Sequence, residues 1–229
     1  MKPEFKEKPI RSFVIRGGRM TEGQRNAFDT WWPKYGLSMF DGPLDPVAVF
    51  GRVAPLVVEV GFGMGDSLLH MALAEPEKDF VGIEVHPPGV GRLIHLAGKE
   101  GVENLRVYMA DAQDVMTDCI PTGAVDRFQL YFPDPWHKKK HHKRRILQAA
   151  FADKVHGLLR TGGHFHMATD WENYADYMME VMSLQQGYSN TAGEYCFAPK
   201  PNYRPNTKFE ARGERLGHGV WDLVFEKRD

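Results

Sequence analysis

Leu56-Val57-Val58-Glu59-Val60-Gly61-Phe62-Gly63-Met64-Gly65 is the stretch on which the fold turns. A short apolar run reads as a buried strand, and three alternate glycines read as a sharp turn that lays bare backbone against a ligand. Asp66 or Ser67 is placed to cap the helix that follows, up to Glu75. Outward from there the pattern repeats. Phe80–Val85, Leu105–Met109, Val125–Tyr131 and His164–Ala168 read as strands. Helices are expected near Val90–Glu100, over Lys143–Arg160, and from a capping box at Thr169–Glu172 to Gln186. Such alternation implies a mostly parallel sheet with helices on both faces. The tail, Lys208–Arg212 and Val220–Glu226, reads as an antiparallel pair. The expected class is α/β: a seven-stranded, mostly parallel Rossmann-like sheet ending in an antiparallel hairpin, the class I methyltransferase pattern. Residues 1–50 are expected to form an arm with one short helix near Thr21–Tyr35, and 51–229 the main domain.

Ligands of such sheets bind at the carboxyl ends of the strands. Gly61, Gly63 and Gly65 end the first strand, and Glu84 ends the second about 20 residues on, where a carboxylate can accept both hydroxyls of a ribose. Dinucleotide folds share both features. Asp111, after the third strand, either accepts an adenine amino group or caps a helix. Glycine loop, Glu84 and Asp111 together favour S-adenosylmethionine over NAD. The fourth strand runs into Tyr131-Phe132-Pro133-Asp134-Pro135-Trp136. Two prolines fix the backbone around Asp134, which suits a carboxylate that holds an unstacked base beside an aromatic surface.

The charges are segregated, although Lys plus Arg is 29 against 30 for Asp plus Glu. His137-Lys138-Lys139-Lys140-His141-His142-Lys143-Arg144-Arg145 holds six fixed cations and no acid, directly after the Pro-bracketed aspartate. Arg11, Arg16, Arg19 and Arg25 form a second basic cluster. Such density beside a candidate site points to a polyanion. His137 and His141 stand at i,i+4, but the flanking cations would repel a metal ion, so none is expected. Two distant cysteines, Cys119 and Cys196, exclude a disulfide scaffold and fit a reducing cytoplasm. No apolar run reaches membrane-span length, and Met1–Arg19 lacks the apolar core of a secretory signal.

The sequence resembles the bacterial tRNA (guanine-N7)-methyltransferases along nearly its whole length. The resemblance rests on Phe132–Trp136 with Lys138–Arg145, on Glu59–Gly65, on Ala168-Thr169-Asp170-Trp171 and on Thr207-Lys208-Phe209-Glu210. Arg11–Val14 and Gly18–Thr21 look similar too. His137 stands where that family often has Pro, and Lys140 where it often has Arg. The resemblance implies methyl transfer from S-adenosylmethionine to N7 of guanine 46 in the variable loop of tRNA. It implies a cofactor side of Glu59, Glu84, Asp111 and Asp134, with Asp134 in the active-site role. It implies a substrate side of Lys138, Asp170, Thr207, Lys208, Phe209 and Glu210. Lys139, Lys140, His141, Lys143, Arg144 and Arg145, with Arg16 and Arg19 of the arm, would then neutralise RNA phosphates. Monomer and homodimer both remain open.

Rival readings are an amino-group methyltransferase acting on DNA or protein and a non-catalytic RNA binder on the same scaffold. The chain is too short for the recognition domain that DNA-acting enzymes usually add. A protein-modifying enzyme leaves the six cations unexplained, and a binder would be expected to lose Glu59, Glu84 and Asp111.

Overall fold

The computed structural model describes residues 11–13, 20–206, 210 and 219–229. Helix α1 (Glu22–Tyr35) begins at the expected Thr21, whose side chain accepts from Gln24 N–H while Gln24 reaches back to Thr21 N–H. Then come β1 (Gly36–Leu37), α2 (Pro46–Phe50), β2 (Leu56–Val60), α3 (Asp66–Ala74), β3 (Asp79–Ile83), α4 (Pro87–Glu100), β4 (Leu105–Tyr108) and α5 (Ala112–Asp118). β5 (Val125–Tyr131), a 3-10 turn (Lys139–Arg144), α6 (Ala149–Leu158), β6 (Leu159–Thr169), α7 (Glu172–Ser183), β7 (Tyr188–Asn190) and β8 (Trp221–Lys227) follow.

One sheet contains eight strands in the order β1-β4-β3-β2-β5-β6-β8-β7, one more than expected because the two-residue β1 pairs in parallel with β4. β2 and β3 are buried at every position, as strands covered on both faces must be. β8 runs antiparallel to both β6 and β7. The terminal antiparallel pair is therefore present, but β8 faces Tyr188–Asn190 rather than 208–212. Of that expected strand, Glu210 is helical and the other residues lie outside the described ones.

Three local expectations are corrected. Gly65, in the left-handed region, precedes α3 without a side-chain cap, and Asp66 instead pairs with Arg92 at 2.6 Å. Trp171, not Thr169, caps α7, and no side-chain hydrogen bond closes a capping box there. The basic run does not enter a long helix: it forms its own 3-10 turn, and α6 starts only at Ala149. Helix α1 and strand β1 place part of the segment before residue 51 on the same body, with Tyr35 buried and its hydroxyl 2.9 Å from the carbonyls of Ala97 and Val102.

Candidate active site

The strand order reverses between β2 and β5, and a cavity of about 330 Å³ opens at their carboxyl ends. Gly61, Glu84, His86, Asp111, Phe132 and Asp134 are among its walls. The volume is in the range of small-molecule and cofactor pockets.

The glycine loop has positive φ at Gly61 (76°), Gly63 (58°) and Gly65 (79°), a region that penalises any Cβ. A Cβ added at Gly61 or Gly63 would meet nothing within 4 Å, so the loop turns bare backbone toward open space. Glu84 holds the loop from the next strand. Its Oε2 accepts from Gly63 N–H at 2.8 Å, and its Oε1 accepts from Val85 N–H at 2.7 Å and His86 N–H at 3.0 Å. Asp111 fits both of its readings: it lines the cavity, and its Oδ1 accepts from Gln113 N–H at 3.0 Å as the cap of α5.

Glu59 is not among the cavity walls. Alternation along β2 turns it away from Val60, which is one of them, and toward a polar cluster inside the domain. With its amide nitrogen toward Glu59 Oε2 (3.2 Å), Gln129 accepts from Arg127 Nε and the Tyr131 hydroxyl, each at 2.9 Å. Desolvation pushes the Glu59 carboxyl up from 4.5 to about 8, against the pull of Arg127. A raised native value means that Glu59 stabilises the fold fully below its unfolded value and loses that contribution as pH rises through about 8. Replacing Glu59 with Gln is thus expected to flatten the fall in stability between pH 4.5 and about 8. Chemical denaturation across that window checks it, and parallel wild-type and variant curves would refute it.

The Pro-bracketed loop is strained and held from several sides. Phe132 (φ 49°) and Trp136 (φ 48°) occupy the left-handed region, at a cost of about 1–2 kcal/mol each. Phe132 N–H donates to Ala168 O (2.8 Å), and Trp136 Nε1 donates to Ser12 O (3.2 Å). Between these anchors Asp134 is exposed at the cavity wall. Asp170 is half-buried just past the end of β6, the strand beside β5, and does not line the cavity. His137 packs on Trp171 with ring centroids 4.2 Å apart, joining the two loops.

Arg145 corrects the reading of the basic run. It is 3 % exposed, donates to Pro135 O and Asn173 Oδ1 at 2.9 Å each, and lies over the rings of Tyr174 and Tyr177. A guanidinium so enclosed braces the Asp134 loop from within. Lys138, Lys139, Lys140 and Lys143 are exposed. Arg144 is half-buried over Trp136. Desolvation and then the cations around it lower the pKa of His141, which favours its neutral form. Among the described residues no group of His, Cys, Asp or Glu could hold a metal ion.

Glu210 is also corrected. It is 3 % exposed, and Arg204 Nη1 and Nη2 donate to its two oxygens at 2.8 and 3.1 Å. Thr207, Lys208, Phe209, Arg16 and Arg19 lie outside the described residues. The cavity walls further include Ser12 and Phe13, from the Arg11–Val14 stretch that resembles the family, and His86 and Ile146, which sequence reasoning did not single out. His86 follows Glu84 by two residues and was within reach of a strand-end argument. Ile146 arrives from a distant segment with no local signal.

Fold and cleft define a Rossmann-like methyltransferase. A family model described as "Putative methyltransferase" matches residues 53–223. A solved 16S rRNA (adenine(1408)-N(1))-methyltransferase from Catenulisporales acidiphilia, crystallised with its cosubstrate SAM, shares the fold at TM-score 0.54 and 16 % identity. That match covers 81 % of this chain and 92 % of the other. The "tRNA (guanine-N(7)-)-methyltransferase" of Saccharophagus degradans is 70 % identical over 99 % of both chains. That of Alcanivorax borkumensis is 60 % identical over 96 % of this chain and 92 % of its own. The chain belongs to the tRNA (guanine-N7)-methyltransferase family.

Proposed function

We propose that the protein transfers the methyl group of S-adenosylmethionine to N7 of a guanine in tRNA, at variable-loop position 46, in the cytoplasm. The observation that carries this reading is the cleft itself, which sets Glu84, Asp111, the bare Gly61 backbone and Asp134 around one volume. Those groups fit the cofactor. Glu84 would accept from ribose hydroxyls, Asp111 from the adenine amino group, and the glycine loop would lie against the methionine part that leaves the ribose. When bound, the cofactor supplies an electrophilic sulfonium methyl.

Guanine N7 has a free lone pair and no proton, so no general base is required. The chain's work is alignment, holding the two atoms in line about 3–3.5 Å apart. Asp134 holds the base at the cleft wall and stabilises the positive charge that grows on the ring. Asp170 accepts from guanine N1–H and its amino group, which rejects adenine. Lys138 and the segment from Thr207 complete the substrate side. Aniline cleavage of tRNA treated with the protein and S-adenosylmethionine tests the whole reading. A cut at the variable-loop guanine is expected, and uncut tRNA would overturn it.

Lys139, Lys140 and Lys143 take the RNA backbone. Each lost phosphate contact lowers the slope of log K against log salt by about 0.9. The Lys139→Ala/Lys140→Ala double variant is expected to weaken tRNA binding and lower that slope by about 2 in filter binding across a salt series. An unchanged slope would exclude these lysines from the interface.

A further inference from the structure

Beside the start of the Asp134 loop lies a buried ionic cluster that touches none of the reacting groups. Its centre is Arg204, 2 % exposed. Arg204 Nε and Nη2 donate to the two oxygens of Asp222 at 2.6 and 2.7 Å, while Nη1 and Nη2 donate to the two oxygens of Glu210. The guanidinium is thus forked onto two carboxylates at once, a geometry that Lys cannot reproduce.

Each partner leads toward the site. Glu210 belongs to the Thr207–Glu210 segment placed on the substrate side. Asp222 stands opposite Ala168 on β6, and Ala168 O accepts from Phe132 N–H, at the strained start of the Asp134 loop. The guanidinium also lies 5.7 Å from the Phe132 ring centroid. Beyond Asp222, His166 Nε2 donates to Asp222 Oδ1 at 2.7 Å. The hydroxyls of Tyr131 and Tyr203 reach its Nδ1 at 2.8 and 3.0 Å, and Tyr131 is a wall of the cleft.

We infer that Arg204 is a positioning residue that ties Glu210, through Asp222 and β6, to the start of the Asp134 loop, and that Glu210 serves as its anchor rather than as a contact to guanine. The inference rests on the tRNA-methylating reading. Removing one partner of a buried ion pair exposes the fold to an uncompensated charge, so Arg204→Ala can simply unfold the protein. Arg204→Lys and Glu210→Gln keep volume and are the variants of choice.

The experiment measures steady-state kinetics of tRNA methylation for wild type, Arg204→Lys, Glu210→Gln and the double variant, with S-adenosylhomocysteine affinity by calorimetry. In each variant kcat/KM for tRNA is expected to fall about tenfold or more, with S-adenosylhomocysteine affinity and KM for S-adenosylmethionine within about twofold of wild type. The double variant should lose no more than the worse single one, because both break the same link. Additive losses, wild-type kinetics in Arg204→Lys, or cofactor affinity falling in step with tRNA kinetics would each overturn the proposal. Inactive wild-type protein would instead overturn the methyltransferase reading, so the two failures are distinguishable.

Discussion

Asp134→Asn is expected to lower kcat for tRNA methylation by about 10²–10³-fold while the protein still binds S-adenosylhomocysteine. The side chain keeps its size, and Pro133 and Pro135 keep its backbone, so geometry is preserved and only the carboxylate charge is lost. Methylation at N7 leaves a cationic ring where a neutral one stood, and in the proposed reading that charge forms beside Asp134, which is exposed at the rim of the cleft. A stabiliser that acts only as charge develops shows up in kcat and not in ground-state binding. The same argument predicts a solvent deuterium isotope effect near unity on the wild-type single-turnover rate, since no proton moves with the methyl group. Wild-type kcat in the Asn variant would remove Asp134 from the reaction, and a large solvent isotope effect would make it a proton acceptor.

The parts legible in the sequence were those whose physics is local. A glycine loop announces itself because only glycine accepts three positive φ values within five residues, and Glu84 follows at the interval of one strand-helix-strand passage. Asp134 was conspicuous between prolines. What was not legible depended on the third dimension. Glu59 and Val60 are neighbours in a strand buried on both faces, where no polar alternation tells which of the two looks into the cleft. Arg145 looked like the last cation of a solvated run; Tyr174 and Tyr177, about 30 residues later on α7, enclose it. The helix expected from Lys143 starts inside the 3-10 turn at 139–144, because a charged stretch has no apolar period to contradict that reading. β1 and β7, of two and three residues, are too short to show a period at all. Glu210 sat in a recognisable motif, but its role depends on Arg204 and Asp222, and the latter lies on the final strand.

Glu84→Gln is the other substitution expected to cost most, through the cofactor rather than the chemistry. The Glu84 carboxylate is 9 % exposed and accepts from three backbone N–H groups that point at it from two segments, the glycine loop and the start of α4. A carboxylate can serve donors on both sides because both oxygens accept. A glutamine has one accepting oxygen, and its NH₂ must then face either Gly63 N–H or the pair from Val85 and His86, donor against donor. A buried group deprived of its partner costs about 1–3 kcal/mol, and a charged acceptor stands at the upper end. The damage also spreads along the loop. Gly89 approaches so closely that a Cβ built on it would stand 2.0 Å from Gly63 O, so the loop is held between Glu84 and α4 with no slack. Losing the Glu84 tether therefore disturbs the backbone that the cofactor lies on, as well as removing the ribose acceptor. S-adenosylhomocysteine affinity is expected to fall by about 10–100-fold, equivalent to about 1.4–2.8 kcal/mol. Melting temperature should fall with it, while tRNA binding, which we assign to Lys139, Lys140 and Lys143 outside the cleft, should stay near wild type. Calorimetric titration and filter binding on the same preparation separate the two. Cofactor affinity within about twofold of wild type would show that the loop keeps its shape without this carboxylate, and that the ribose is held elsewhere.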